Sequence, residues 1–216
     1  MISKIHKYDL VIAIYIFIIV ASELMGSKTF PLIDFAGVKI NSSVAILLMP
    51  FLLTINDVVI EVYGKKRAKS LVYSGLIVII LLILYTLLVV KLPASSRFAM
   101  SQSYNDVFSL SIRISIASII AFIISELIDI TVFAKLRSKI KGALWLRNNL
   151  SNFIAQLFDT TIFYLLAFYD LNQPFLFNLS FLAGLIFSYW LVKCLFSIIE
   201  TPFVYWGVAW LKNDKE

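Results

Sequence analysis

The sequence predicts an all-α, polytopic integral membrane protein with six transmembrane helices. Of its 216 residues, 61% are hydrophobic and 15% are charged, and the mean hydropathy is +0.92. Soluble domains average about 45–50% apolar and about 25% charged residues. A bilayer core about 30 Å thick takes roughly 20 helical residues. We therefore expect a single transmembrane domain over 1–216, with helices near 8–25, 42–63, 70–90, 110–133, 149–168 and 179–209.

The first three predicted helices differ mainly in the polar residues that they carry. The first helix follows a basic N-terminus and lacks a signal-peptide cleavage site, so we keep it as a span. The second helix carries Asp57 and Glu61 one turn apart and ends at the basic run 64–69, whereas the third, 70–90, is a plain apolar run. Because Glu61 is near that basic run, we expect it to form an interfacial salt bridge. Asp57 is deeper and is the better functional candidate.

The long external segment and the last span carry features that suggest movement. Residues 91–109 are polar and Ser-rich after Pro93, which favours a short interfacial helix or a lid. The last span, 179–209, would measure roughly 46 Å as one helix, well beyond the hydrocarbon core. Pro202 removes an intrahelical hydrogen bond within it, so we predict a kink or a break there.

Polar side chains form a stripe along one face of the fifth predicted helix. They recur at helical spacing, as Asn149, Asn152, Gln156 and Asp159. The opposite face, which includes Leu157 and Phe158, suits lipid or packing. Such a stripe can serve interhelical hydrogen bonds, each worth about 0.6 kcal/mol in a membrane. Because four groups including a carboxylate share this face, we favour a cavity that holds a polar, planar solute.

The fourth and sixth predicted helices carry similar faces. Small residues dominate that of the fourth helix, which comprises Ser111, Ser115, Ser118, Phe122, Ser125 and Asp129. We call this face the serine seam, and its small residues indicate close packing between helices. Arg113, Glu126 and Asp129 on the same helix are harder to explain by packing. The face of the sixth helix comprises Tyr189, Lys193, Ser197 and Glu200.

Ionisable groups within the predicted spans are the main functional signal. The acidic ones are Glu23, Asp57, Glu61, Glu126, Asp129, Asp159 and Glu200, and the basic ones are Arg113 and Lys193. A charge at the bilayer centre costs roughly 2.5 to 3.5 kcal/mol on insertion scales. These groups must therefore face one another or a polar cavity, which points to a transporter. Arg113 and Lys193 are expected to neutralise carboxylates.

The remaining basic residues predict the topology. Cytoplasmic segments hold thirteen: Lys4, Lys7, Lys65, Lys66, Arg67, Lys69, Lys135, Arg137, Lys139, Lys141, Arg147, Lys212 and Lys215. External loops hold four: Lys28, Lys39, Lys91 and Arg97. This asymmetry predicts cytoplasmic N- and C-termini. It also explains the net charge of +6 without nucleic-acid binding, which we do not expect. Because Cys194 and His6 are the only residues of their kinds, the sequence argues against a thiolate metal cluster, haem and most zinc sites, and no cofactor is expected.

Five segments of the chain resemble the queuosine-precursor transporter family, which is also described as a family of bacterial vitamin uptake transporters. They are SELMGSKTF (22–30), TINDVVIEVYGKKRAK (54–69), SELIDITVFAKLR (125–137), WLRNNLSNFIAQLFDTTIFYLLAF (145–168) and KCLFSIIETPFVYWGV (193–208). The resemblance covers four of the six predicted spans. Its most specific parts are Asp57-x3-Glu61-x-Tyr63-Gly64 and Arg147-Asn148-Asn149 followed by Gln156-x2-Asp159.

The resemblance implies uptake of a 7-deazaguanine compound across the bacterial inner membrane by alternating access. The substrate would be 7-cyano- or 7-aminomethyl-7-deazaguanine, or queuine. Asp159 would accept hydrogen bonds from the ring N–H and the exocyclic amine, Gln156 or Asn152 would meet the carbonyl, and an aromatic side chain would stack on the ring. The predicted substrate-binding residues are Asp57, Arg113, Phe122, Glu126, Asp129, Asn149, Asn152, Gln156, Asp159, Tyr189, Trp190, Lys193 and Glu200.

Two other functions are compatible with the sequence. The first is the substrate-binding subunit of an energy-coupling-factor vitamin transporter, which would import nothing without partner ATPases. The second is an intramembrane transferase that holds Mg²⁺ on Asp57, Glu61 and Asp129, although this carboxylate pattern is a weak motif. Proton coupling through Glu126 or Glu200 and simple facilitated uptake both stay open. So does the oligomeric state, with a homodimer among the options.

Overall fold

The computed structural model confirms an all-α membrane protein. It describes the backbone of residues 6–35, 38–139, 144–199 and 201–212, and most side chains within these ranges. Within these ranges the α-helices are, in chain order, α1 Lys7–Met25, α2 Met49–Lys91, α3 Ser101–Lys139, α4 Leu144–Phe168, α5 Phe175–Ile199 and α6 Thr201–Lys212. Four described segments are long and apolar enough to cross a bilayer: Lys7–Met25, Lys66–Lys91, Ser101–Ser125 and Phe175–Leu195. The six-span count therefore stays a prediction.

An antiparallel hairpin between α1 and α2 was not predicted. Strand β1, Thr29–Phe35, pairs with β2, Val38–Ser43, and a 3-10 turn, Val44–Leu47, leads into α2. Pro31 lies in β1, which a two-stranded ribbon tolerates because its outer edge needs no N–H donor. The prediction that the second span begins at residue 42 is wrong, because the helix begins at Met49 with Pro50 in its first turn, where Pro is favoured.

Gly64 divides α2 into two helical parts. Its backbone dihedrals are φ 81° and ψ 168°, a region of conformational space that is essentially restricted to glycine. The break lies one residue beyond the predicted end of the second span at 63, where the basic run begins. The preceding part, 49–63, is about 22 Å long, and 65–91 contains the predicted third span.

Replacing Gly64 by Ala is expected to destabilise the protein by about 1–3 kcal/mol, because the left-handed backbone must be kept with a Cβ present. No heavy atom lies within 4 Å of a Cβ built at Gly64 or at Gly184 in α5. Gly184→Ala is therefore the matched control, and we expect it to be neutral or slightly stabilising in a helix. Thermal unfolding of the two purified variants in detergent measures the difference. Equal stabilities would show that the break at Gly64 does not need a glycine.

Helices α3 and α5 begin earlier in the chain than the corresponding predicted spans. Helix α3 begins at Ser101 rather than at residue 110, because the polar residues 101–109 extend the helix, with Gln102 donating a hydrogen bond to Asp106 across one turn at 2.8 Å. Only 92–100 connects the helices, and this connection is exposed. Helix α5 is described to Ile199 and α6 from Thr201, with Pro202 in the first turn of α6. Residue 200 lies outside the described residues, so the break near Pro202 stays a prediction.

The chain divides into two compact units. The first comprises 1–28, 44–112 and 195–216, and the second comprises 29–43 and 113–194. In the first unit, α1 and α6 both pack on α2, with Gly75 next to Tyr15 and Gly207 next to Val58. Lys7 links α1 to α6 by donating a hydrogen bond to the Trp210 carbonyl at 2.8 Å.

The second unit contains the hairpin, most of α3, α4 and most of α5. Its apolar core includes Ile114 and Ala117 on α3 and Ala167 on α4, with Phe163 and Phe168 packed against them. The hairpin is anchored on α5, because the Ser188 hydroxyl donates to the Asn41 carbonyl at 2.9 Å. This unit carries the polar side chains from which the site is built.

Candidate functional site

An ion pair joins α4 to α5 inside the second unit. Lys193 Nζ lies 2.9 Å from Asp159 Oδ2, and the side chains are 8% and 27% exposed, respectively. The expectation that Lys193 neutralises a carboxylate is therefore confirmed. Removing one partner of such a pair leaves an uncompensated charge in a medium of low dielectric constant. The carboxylate is the more accessible partner, which leaves it open to a ligand.

Ser125 brings α3 to the same carboxylate. Its hydroxyl donates to the Phe122 carbonyl at 3.0 Å. The same hydroxyl lies 3.4 Å from Asp159 Oδ1, so its hydrogen bond to the carboxylate is long and therefore weak. Ser115 and Ser125 are buried, so the serine seam of α3 packs against its neighbours as predicted. Because a carboxylate offers about four acceptor sites, these contacts leave Asp159 with unused acceptor capacity.

Aromatic side chains on α5 lie beside the ion pair. Lys193 Nζ is 5.2 Å from the centre of the Tyr189 ring, close enough for a cation–π contact. Tyr189 also packs edge-on against Tyr164 of α4, with ring centres 5.4 Å apart. Trp190, one of the predicted substrate-binding residues, donates from Nε1 to the Phe153 carbonyl at 3.2 Å, which joins α5 to α4.

Gln156 and Asp159 share a face of α4 as the stripe pattern predicts, while Leu157 and Phe158 are exposed on another. The same helix also carries buried polar groups that the sequence analysis missed, namely Thr160 and Tyr164. Thr160 is adjacent to Asp159 in sequence, and Tyr164 lies one helical turn after Thr160. This spacing is the sequence signal that could have identified the two residues, but a threonine in an apolar helix is ordinarily explained by packing.

Arg113 is not part of the ion-pair site. Its Nε donates to the Leu166 carbonyl at 2.8 Å and its Nη2 to the Tyr169 carbonyl at 2.5 Å, so that it caps the C-terminal end of α4. It precedes Ser125 on α3 by twelve positions, which is about 18 Å along a helix. The expectation that Arg113 neutralises a carboxylate is replaced by this capping role, which suits a cation at a helix C-terminus.

Replacing Arg113 by Met is expected to lower stability by about 2 kcal/mol, because two charge-assisted hydrogen bonds are lost while the apolar stem is kept. Transport per folded molecule should stay within about twofold of wild type. Arg97→Met, in the exposed connection 92–100, serves as the control. Loss of transport at unchanged melting temperature would return Arg113 to the substrate site.

The remaining predicted site residues belong to the first unit or fall outside the described side chains. Asp57 is exposed on α2, in the first unit. The side chains that fall outside the described part of the structure are Glu126, Asp129, Asn149, Asn152 and Glu200. Their roles remain predictions. The described centre of the site thus consists of Asp159, Lys193, Ser125 and Tyr189.

Comparison with known proteins agrees with the resemblance seen in the sequence. A family described as "Putative vitamin uptake transporter" matches residues 43–207. A Bacillus subtilis (strain 168) protein named "Probable queuosine precursor transporter" is 30% identical over 163 residues, which cover 74% of this chain and 68% of that protein. A Haemophilus influenzae protein with the same name is 26% identical over 130 residues, covering 60% and 53%.

No solved structure matches the chain, so the fold is argued from the helices described above. The family match spans more than three quarters of the chain and includes α2, α3, α4, α5 and most of α6. It therefore contains every residue at the centre of the site. On this ground the chain belongs to the vitamin uptake transporter family and is a multi-pass membrane transporter of that family.

Proposed function

We propose that the protein imports a 7-deazaguanine precursor of queuosine across the bacterial inner membrane by alternating access. The observation that carries the proposal is the Asp159–Lys193 pair, 2.9 Å long and placed between two helices of the membrane domain. Both relatives are named for queuosine precursor transport, and the chemistry of such a base suits this pair.

The donor edge of a 7-deazaguanine fits a carboxylate. Its ring N–H and exocyclic amine are neighbouring donors, and Asp159 has acceptor sites beyond those used by Lys193 and Ser125. The carbonyl of the base is an acceptor, which the Lys193 ammonium can serve. An incoming base therefore replaces the Asp159–Lys193 ion pair by charge-assisted hydrogen bonds to each of the two side chains. Neither charge is left without a partner during binding.

The flat face of the base requires a partner of different chemistry. Tyr189 lies within cation–π distance of Lys193 and is 7% exposed, so a base at the ion pair would lie next to an aromatic ring. Offset or edge-on contacts between rings add about 0.5–1.5 kcal/mol beyond the area that they bury. The site thus combines hydrogen bonding along one edge with an aromatic neighbour, as recognition of a heterocycle demands.

The position of the Asp159–Lys193 pair between two helices suits alternating access. Asp159 is on α4 and Lys193 is on α5, so a ligand that inserts between them changes the contact between two helices. A ligand shifts a conformational equilibrium only by binding the two states with different affinity. Breaking and remaking an interhelical ion pair is one way to create that difference. The asymmetry of Lys and Arg supports cytoplasmic termini for this importer.

The test measures queuosine in tRNA from a bacterium that cannot make the precursor and lacks its own importer. The host also lacks energy-coupling-factor modules, expresses this chain and receives one candidate base at a time at low concentration. Queuosine that appears with one of the bases supports solitary import. If none appears while the folded protein is present in the membrane, import without a partner is contradicted and a binding subunit becomes the better explanation.

A further inference from the structure

The part of α2 that follows Gly64 presents a continuous exposed strip along one face. Its side chains recur every three or four positions, so they lie one above another on the helix. They change from two lysines through a tyrosine to aliphatic residues as the helix proceeds. These exposed side chains are Lys66, Lys69, Tyr73, Ile77, Ile80 and Leu84. We name these six residues the α2 strip.

The opposite face of the same segment packs against α1. Ile79 is buried there, and Gly75 lies next to Tyr15 of α1. Arg67 is also turned toward α1, because its guanidinium carbon lies 5.3 Å from the centre of the Tyr8 ring, within the range of a cation–π contact. The α2 strip is therefore the side of the helix that the contact with α1 leaves uncovered.

The two lysines of the α2 strip carry positive charge that nothing in this segment balances. Residues 65–91 contain no Asp or Glu, and the nearest acid on α2 is Glu61, which precedes the break at Gly64. Within the part of the chain that the structure describes, neither Lys66 nor Lys69 forms an ion pair or a side-chain hydrogen bond. Residues three apart on a helix have Cβ atoms about 5–6 Å from each other. Both ammonium groups can therefore reach a single phosphate group.

The dimensions of the α2 strip match one leaflet of a bilayer. Of the four described candidate spans, Lys66–Lys91 is the least buried, and its first residue belongs to the strip. From Tyr73 to Leu84 the strip is about 17 Å long, close to half of the roughly 30 Å hydrocarbon core. Tyrosine is enriched where headgroups meet hydrocarbon. The lysines thus lie at headgroup level when the aliphatic residues lie in the leaflet.

We propose that the α2 strip binds an anionic phospholipid, with its phosphate at Lys66 and Lys69 and an acyl chain along the aliphatic residues. An anionic membrane surface attracts each nearby lysine, whereas a zwitterionic lipid of the same shape lacks the net charge. A free phosphate would meet the lysines but leave the apolar part of the strip unused. The site uses no residue of the Asp159–Lys193 site and does not depend on which solute is transported.

A second copy of the chain fits the α2 strip less well than a lipid does. In a two-fold dimer about the membrane normal, Lys66 and Lys69 of the two copies would face each other, and like charges repel. Helices that associate within membranes also favour small residues at their contact, whereas this strip presents isoleucine and leucine. A lipid supplies both the opposite charge and a flexible apolar chain.

The experiment follows thermal unfolding of the purified chain in detergent, with added phosphatidylglycerol or with phosphatidylcholine of identical acyl chains. We expect phosphatidylglycerol to raise the melting temperature of wild type more than phosphatidylcholine does. In Lys66→Gln/Lys69→Gln, the concentration of phosphatidylglycerol for half-maximal stabilisation should rise roughly tenfold to thirtyfold, as the loss of two lysines at an anionic surface implies.

The matched control is Lys91→Gln/Arg97→Gln, which removes two exposed positive charges at the other end of α2 and in the connection beyond it. It has the same net charge as the test variant, and its response to phosphatidylglycerol should stay within about twofold of wild type. If Lys66→Gln/Lys69→Gln folds poorly, Lys69→Gln alone should weaken the response roughly threefold to fivefold.

Inorganic phosphate and soluble glycerophosphoglycerol, at the same concentrations, should leave the melting temperature unchanged. Stabilisation by either one equal to that by the lipid would assign the lysines to a free anion and overturn the proposal. Equal responses of wild type to the two lipids, or an unchanged response of Lys66→Gln/Lys69→Gln, would also overturn it. So would a dimer of wild type that the same two substitutions dissociate, because a second copy would then cover the strip.

Discussion

Asp159→Asn is expected to reduce import at limiting substrate by about 100-fold. The substitution keeps the size of the side chain but removes the charge, and it can present amide donors to the donor edge of the base. Charge-assisted hydrogen bonds are each worth about 1.5–3 kcal/mol, so losing one or two of them accounts for a change of this size. The reduction should appear as a higher half-maximal concentration.

The measurement is uptake of labelled base, normalised to folded protein in the membrane. Asp106→Asn is the control, because Asp106 is an exposed carboxylate that accepts a hydrogen bond from Gln102 on its own helix. We expect that variant to import normally. Near-normal import by Asp159→Asn at equal expression would remove Asp159 from the substrate site and leave its pair with Lys193 as a structural contact.

Lys193→Met is expected to destabilise the protein by about 3 kcal/mol, because it leaves the Asp159 carboxylate without its counter-ion. For a chain of this length the apparent melting temperature should fall by roughly 6–12 °C. The double variant Asp159→Asn/Lys193→Met removes both charges, and replacing a buried ion pair with uncharged groups is often neutral or stabilising.

The double variant separates stability from transport. We expect its melting temperature to return to within a few degrees of wild type while import stays as low as in Asp159→Asn. Thermal unfolding in detergent and uptake in cells give the two readouts. A double variant that recovers import together with stability would show that the pair only holds the helices together. A single Lys193→Met variant as stable as wild type would contradict the burial argument itself.

The ends of the predicted spans show what hydropathy can and cannot locate. The basic run after residue 63 marks the break at Gly64. That signal is local and chemical. The start of α3 at Ser101 was missed, because polar residues that extend a transmembrane helix beyond its apolar part give no hydropathy signal.

The hairpin was missed for a related reason. Residues 26–41, between the first two predicted spans, were read as an external loop, because the segment is too short to span the bilayer. Nothing in the sequence indicates that Asn41 contacts α5 or that Ser42 ends up fully buried next to Tyr164 of α4. A buried loop must have its backbone groups paired, and here the Ser188 hydroxyl serves one of them.

The sequence located part of the candidate site, because spacing shows which residues share a face of one helix but not which helices meet. Helical spacing identified the face of α4 that carries Gln156 and Asp159, and composition identified Lys193 as a counter-ion. Spacing within one helix cannot say which residue of another helix lies opposite, so the partner of Lys193 was not identified. Arg113 was misassigned in the same way, because its partners are backbone carbonyls, which a sequence pattern does not distinguish.

The most direct test of the central claim uses the purified chain alone in liposomes. Vesicles loaded with unlabelled 7-deazaguanine base are diluted into labelled base, and exchange across the membrane is followed with wild type and with Asp159→Asn. We expect rapid accumulation of label with wild type, and little above empty liposomes with the variant. Absence of exchange by folded wild type, or equal exchange by both proteins, would contradict transport through the Asp159–Lys193 site.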